Sequence, residues 1–480
     1  MKRLLLIIII STLVVAAAYA SVRGYTGQIL DREFSQLSSA LNEQPDLAVN
    51  RLDYEPGLFN GRLHYDVSVK LPDSHPMLDM IRLATNNQLP REVQLAGVAD
   101  VGQGPFWSDG QWALARLRHD WYLPETWQQY LPDSASGPWL SAEADIAPDG
   151  SMMGTLIGQD YDGDWVNDNG VNLNLLLQGL HGVFTVDTMQ QRVAMTAQAD
   201  RARLSDGAFF GDAEQLLLGM TMQINDANDW SHQTDFMALN METGSDVSGT
   251  LLSNLSASVE LSQIGQRVDN RLEVSFDDSL IEAVPLQGGH IRLNLENLDA
   301  ESYLALAEQL ALGAGAPITP QSRAAMMDSL AELLARGPRI HIERFGVSLR
   351  ETDDLTGALM LRYPEDAPVN LQQPTQLLQH LETDLSLIVT LGALREITHL
   401  LAEQEARELW RTRGIDRTEE QISRSALTRY RSTLVSFQLV PFIHVAEGKA
   451  ETHLTLREGT VYQNGESVMP LGQMLQMFGL

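Results

Sequence analysis

The sequence predicts an α+β fold in which an N-terminal transmembrane helix leads into an extended, curved antiparallel β-sheet with helices packed on one face. Three observations predict it. An uncharged apolar run, Leu4 to Ala20, stands behind Met1-Lys2-Arg3. Segments of period-two hydrophobicity, punctuated by turn dipeptides, then recur between Gly61 and Leu295. Stretches of helical periodicity follow in the second half. The expected division is 1–23 as transmembrane anchor or signal peptide, 24–300 as a stalk helix and β-rich region, and 301–480 as an α+β region ending in a hairpin and a short helix.

Extended to Val22, where Arg23 ends it, the apolar run spans about 28 Å as a helix, against a hydrocarbon core of roughly 30 Å. Lys2 and Arg3 hold the amino terminus inside and put the body outside. Ala18-Tyr19-Ala20 before Ser21 is also an acceptable cleavage site, so the residues read as an anchor or as a cleaved signal peptide. Either reading exports the body to the periplasm.

Past the anchor, Ile29, Phe34, Leu37 and Leu41 predict a stalk helix over Tyr25 to Leu41 that Pro45 stops. Gly61 to Leu71 alternates Leu63, Tyr65, Val67, Val69 and Leu71 with Arg62, His64, Asp66, Ser68 and Lys70, which is a half-buried strand. Strands are likewise expected at Glu92–Val98, Val193–Leu204, Glu214–Ile224, Asp235–Glu242, Ser248–Leu261, Arg271–Phe276 and His290–Leu295. Asp109-Gly110, Asp149-Gly150, Asp162-Gly163, Asp206-Gly207 and Gly288-Gly289 read as turns. Such an antiparallel sheet keeps one face wet, and its apolar face needs a cover. Amphipathic helices at Ala300–Leu312, Gln321–Ala335, Leu391–Trp410 and Thr418–Phe437 supply one. Strands resume at Arg339–Arg350, Thr356–Tyr363, Thr383–Leu391, Ala450–Leu456 and Thr460–Gln463, the last running into an Asn464-Gly465 hairpin turn; Leu471, Met474, Leu475 and Phe478 mark a closing helix.

With 20% charged and 44% hydrophobic residues, this 480-residue chain has the composition of a folded protein. The absence of cysteine excludes a disulfide framework, thiol chemistry and cysteine metal clusters. Net charge is −30, with 30 arginines against Lys2, Lys70 and Lys449, so neither nucleic acid nor anionic lipid headgroups are expected as electrostatic partners. A saline medium would screen the carboxylates, and a GC-rich genome would also trade lysine for arginine.

Tyr25-Thr26-Gly27, the run Tyr54-Glu55-Pro56-Gly57-Leu58-Phe59-Asn60-Gly61, Gly104-Pro105-Phe106 and the closing stretch Gly459 to Phe478 together resemble the YdgA-like family of bacterial envelope proteins of unknown function. The resemblance covers nearly the whole chain. It implies a retained single-pass inner-membrane anchor and a periplasmic body, and supplies no reaction. Where the family usually has a histidine before Gly-Pro, this chain has Gln103. Members are similar in design to AsmA-like envelope proteins.

No catalytic, cofactor-binding or metal-ligating residue is assigned. Asp160, Asp162, Asp164, Asn167 and Asp168 alternate like calcium ligands, but Trp165 and Val171 stand where the loop's glycine and glutamate belong, so a solvated acidic turn is expected. The eleven histidines are scattered, and neither Gly-x-Ser-x-Gly nor a Walker loop occurs. Trp107, Trp112, Trp121, Tyr122, Trp127, Tyr130 and Trp139 read first as local packing, then as a glycan, peptide or membrane contact. Arg407, Arg411, Arg413, Arg417, Arg424, Arg429 and Arg431, interleaved with acids, read as a charge-laced solvent face. The leading expectation is a non-enzymatic envelope maintenance, scaffold or binding protein. A periplasmic lipid carrier with an apolar groove and a cell-wall or glycan hydrolase with dispersed carboxylates are the alternatives. Expected partners are the inner membrane through the N-terminal helix, an envelope protein, lipid or cell-wall glycan, and a second copy through exposed sheet edges.

Overall fold

The computed structural model describes residues 47–55, 60–70, 92–104, 113–122, 138–166, 172–205, 209–226, 229–245, 249–281, 284–303, 305–306, 320–350, 353–365, 367–371, 374–440 and 442–477. The expected anchor and stalk helix lie outside these residues. No helix among the described residues is long and apolar enough to cross a membrane. The chain is α+β, a large antiparallel sheet with a few helices. By contacts it divides into two compact units: one of 1–208, 215–225 and 311–315, the other of 209–214, 226–310 and 316–480.

The first unit is a meander. Strands β1 (Leu47–Glu55), β2 (Asn60–Lys70), β3 (Glu92–Gln103), β4 (Ala115–Trp121), β5 (Leu140–Ile146) and β6 (Met152–Gly158) each pair with the next. β7 (Tyr161–Val166) continues the line of β6, as β9 (His181–Asp187) continues β8 (Asn172–Gln178): β6 pairs with β9, β7 with β8, and β10 (Arg192–Ser205) with both β8 and β9. At the break in the middle line Gly179 takes φ +65°, and the Asp160 carboxylate accepts its N–H at 2.8 Å. One face carries the core of Tyr54, Leu63, Ala99, Val101, Ala115 and Ile146. Aromatic rings fill the space above glycines on the neighbouring strand: a Cβ on Gly154 would lie 2.4 Å from Phe184 Cζ.

β11 (Phe209–Asp226) divides between the units at Gln215, φ +49°. In the second unit β12 (Asp229–Ser245), β13 (Gly249–Ile264) and β14 (Arg267–Phe276) pair in sequence, with the short β15 (Ser279–Ile281) and β16 (Val284–Leu286) beside them. β17 (Gly288–Asp299), β18 (Arg339–Arg350), β19 (Asp353–Arg362) and β20 (Glu382–Thr390) extend the sheet from β14. β22 (Lys449–Arg457) follows β20 and carries β21 (His444–Ala446) and β23 (Thr460–Gln463) on its other side, β24 (Glu466–Pro470) pairing with β23.

Register brings Val259, Leu272, Leu293, Ile342, Leu359, Leu385 and Leu454 into one cross-strand row. Helices pack on this face. Leu333 of α1 (Pro320–Ala335) joins Val268, Leu298 and Leu295. Leu378 of α2 (Pro374–His380) and Leu471 and Met474 of α5 (Leu471–Met477) join Leu454, Leu456 and Val461. α3 (Leu391–Arg413) packs on β18 to β20 and pairs with α4 (Glu419–Leu439), whose N-terminus carries a Thr418–Gln421 capping box.

β1, β4 to β9, β15, β16, β21 and α2 are additions to the expected elements, and β24 is the second strand of the expected Asn464-Gly465 hairpin. Asp162-Gly163, read as a turn, sits inside β7 instead, because its backbone pairs with Leu176 and Leu175. Of the helix expected at Ala300–Leu312, only 300–303 and 305–306 are described, and these are helical.

Candidate functional site

Three polar groupings stand out, and each depends on strand register. On the apolar face of the first unit, Tyr65 of β2 and His119 of β4 meet across β3 because Gly97 lies between them. A Cβ at Gly97 would come within 2.7 Å of Tyr65 Oη and 3.0 Å of His119 Cε1. The two rings stand edge to face at 5.1 Å, and His119 and Trp121 do the same at 4.6 Å. The Tyr65 hydroxyl hydrogen-bonds His119 Nε2, and the imidazole also hydrogen-bonds the Val98 backbone. The Trp121 side chain hydrogen-bonds Tyr65 in turn. Desolvation lowers the pKa of His119 and raises that of Tyr65, so both stay neutral near pH 7. A neutral imidazole accepting from a phenol can move a proton. Here the network's hydrogen bonds are made within the protein, which rigidifies the sheet face.

On the opposite face, Arg116 is 9% exposed and grips Asp145 through Nε (2.6 Å) and Nη2 (2.9 Å). Its Nε also lies 3.4 Å from Glu143, which Arg118 holds at 3.0 Å. Direct cross-strand pairing of Arg116 with Asp145 and of Arg118 with Glu143 produces this ladder. It borders a cleft of about 1050 Å³ shared with Met153, Thr185 and Arg192.

In the second unit, the face opposite the leucine row carries Arg292 between Glu273 (2.8 Å) and Glu343 (3.3 Å), and Asn294 donates to Glu343 at 2.8 Å. The hydrogen bond from Arg292 holds Glu273 below the usual carboxylate range, and those from Asn294 and then Arg292 do the same for Glu343. His290 shares this face, lying over Gly346; burial, then Arg344 and Arg292, lower its pKa. Asp235 accepts from Ser258 at 2.7 Å nearby. This is an open, charged sheet surface.

The acidic segment divides between structural roles. Asp160 caps the break at Gly179, while Asp162 and Asp164 are exposed on β7, Asp164 accepting from Asn174 at 2.7 Å. The expected solvated turn is therefore a strand as far as Val166, and residues 167–170 lie outside the described set. No group of three His, Asp or Glu side chains among the described residues is placed to hold a metal. His64, His399 and His453 pair separately with Glu55, Glu403 and Asp384. Of the aromatic cluster, Trp121, Tyr122 and Trp139 are described, and only Trp121 enters the Tyr65 network. On the helices, Arg407 and Arg424 pair at i,i+4 with Glu403 and Glu420, and Arg417 and Arg429 both reach Glu405. The charge-laced face is present.

A family model described as a bacterial protein of unknown function, DUF945, matches residues 1–470. No curated relative and no solved structure matches the chain.

Proposed function

The chain belongs to this bacterial family of unknown function, and from that premise we propose a non-enzymatic envelope scaffold, anchored in the inner membrane by residues 1–23, whose body presents a sheet surface to periplasmic partners. One observation carries the reading: in the second unit the apolar face holds helices α1, α2 and α5, while the opposite face presents Asp235, Glu273, Arg292 and Glu343 to solvent. A surface of spaced, partly exposed charges suits a protein or cell-wall glycan contact. The anchor rests on the run Leu4 to Ala20 and on the YdgA-like resemblance.

Photo-crosslinking in cells from positions 235 and 344 tests the proposal. Crosslinks to envelope protein or glycan support it. Crosslinks only to phospholipid, from positions 259 and 274 on the leucine-row face, replace it with the carrier reading. That second reading has its own support, because Val259, Leu272, Val274 and Ile291 are only half-buried.

A further inference from the structure

On the face of the first unit opposite its core, one row of side chains crosses β4, β5, β6, β9 and β10. Register sets Arg116, Asp145, Met153, Thr185 and Ala194 side by side, a span of about 19 Å at about 4.8 Å per strand. Asp187 and Arg192 face each other beside this row, and the cleft of about 1050 Å³ lies over both. One wall is closed, because Arg116 grips Asp145 at two points and Arg118 holds Glu143. The other is open. Thr155, Thr185, Gln190 and Arg192 are exposed, and their side chains make no hydrogen bond among the described residues. Three features of this lining select a ligand. Charge is balanced, Arg116, Arg118 and Arg192 against Glu143, Asp145 and Asp187, so the cleft draws neither anion nor cation. The backbone is spent: β5, β6 and β9 each pair on both sides, whereas an extended peptide binds through main-chain bonds at a free sheet edge. The floor centres on Met153, 67% exposed between Asp145 and Thr185, and burying an acyl chain there would desolvate the charged groups beside it.

We infer that this cleft binds an uncharged oligosaccharide, with the C–H face of one sugar ring on Met153 and the ring hydroxyls bonded to Thr155, Thr185, Gln190 and Arg192. A sugar hydroxyl both donates and accepts, so it matches a lining whose free groups are hydroxyls, an amide and a guanidinium. The volume and the span of the row suit several linked rings better than a single sugar. The site lies wholly in the first unit. It depends neither on the charged surface of the second unit nor on residues 1–23 being a retained anchor.

The exposed methionine serves as the reporter. The full chain in micelles of a sugar-free detergent, its methionine methyl groups carbon-13 labelled, is titrated with chitotetraose, cellotetraose and maltotetraose, and Met153→Leu identifies the Met153 signal. At least one of the three should shift that signal. Arg192→Ala, at an exposed position, should weaken the binding about tenfold, and Arg344→Ala on the second unit should leave it unchanged. No shift with any of the three, a stronger response to the acidic tetrasaccharide of hyaluronan, or binding lost in Arg344→Ala but kept in Arg192→Ala would each overturn the inference. The last result would move the glycan to the charged surface of the second unit and leave the scaffold reading standing.

Discussion

Replacing Tyr65 by phenylalanine removes one oxygen and keeps the ring, so it isolates what the hydroxyl does beneath β3. His119 Nε2 loses its hydrogen-bond donor in a residue only 8% exposed, and the Trp121 side chain loses its partner. A buried polar atom left unsatisfied costs about 1–3 kcal/mol. Trp121 is only half-buried, so water recovers part of its share, and the expected total is about 2 kcal/mol. Because the chain holds two compact units, whole-chain denaturation is a poor readout. Hydrogen exchange of the β2 to β4 amides is local, and about 2 kcal/mol accelerates it roughly 30-fold. Adding His119→Phe removes the orphaned acceptor, so the double variant should cost about 1 kcal/mol less than the two single variants combined. Exchange within threefold of wild type for Tyr65→Phe, or strict additivity, would refute the network.

Acid should destabilise the protein in two windows. His119 and His290 have folded pKa values lowered from 6.5, so the unfolded chain binds the extra protons; their contribution is complete above about pH 6.5 and is lost as pH falls from there through the folded values. Glu273 and Glu343, lowered from 4.5, lose theirs as pH falls below that value through their folded ones. Exchange protection of the β2 to β4 and β14 to β18 amides at pH 8, 6 and 4, corrected for the intrinsic rate, checks this, and protection that rises from pH 8 to pH 6 contradicts it. Gly154→Ala would put a Cβ 2.4 Å from Phe184 Cζ and 2.7 Å from the Glu143 carbonyl oxygen, costing about 1–3 kcal/mol by local exchange in β5 and β6. Phe184→Leu should recover only part of that, because the Glu143 backbone cannot retreat. Thr418→Ala removes half of the α4 capping box and should cost about 1 kcal/mol, read by comparing exchange of the Gln421 amide between variant and wild type, since its backbone bond to Thr418 O at 2.9 Å remains. Protection equal to that of the wild type would contradict it.

Elements with large apolar residues at every second or fourth position were legible from sequence. β18 occupies Arg339–Arg350 as its alternation predicts, and Asn464-Gly465 makes its hairpin with φ of +50° and +86°. β4 to β6 escaped the pattern because their inward positions include Ala115, Ala142, Ala144 and Gly154, too small to signal burial, opposite Arg116, Glu143 and Asp145. At Gly154 the space a side chain would need is taken by the Phe184 ring and the Glu143 carbonyl. The Tyr65–His119 pair was illegible for a related reason. Period two assigns a face, whereas this contact needs the register of three strands and a glycine at position 97. The arginines of α3 and α4 were legible as a laced face, because i,i+4 spacing alone places Arg407 beside Glu403 and Arg424 beside Glu420, whereas the reach of Arg429 to Glu405 needs the packed hairpin.

Mass spectrometry of lipid extracted from detergent-free protein spanning residues 24–480, beside a soluble envelope protein as control, tests most directly whether the sheet's apolar face belongs to the chain's own helices. The scaffold account predicts a folded, lipid-free body. Stoichiometric bound phospholipid would contradict it and make the leucine-row face a lipid path.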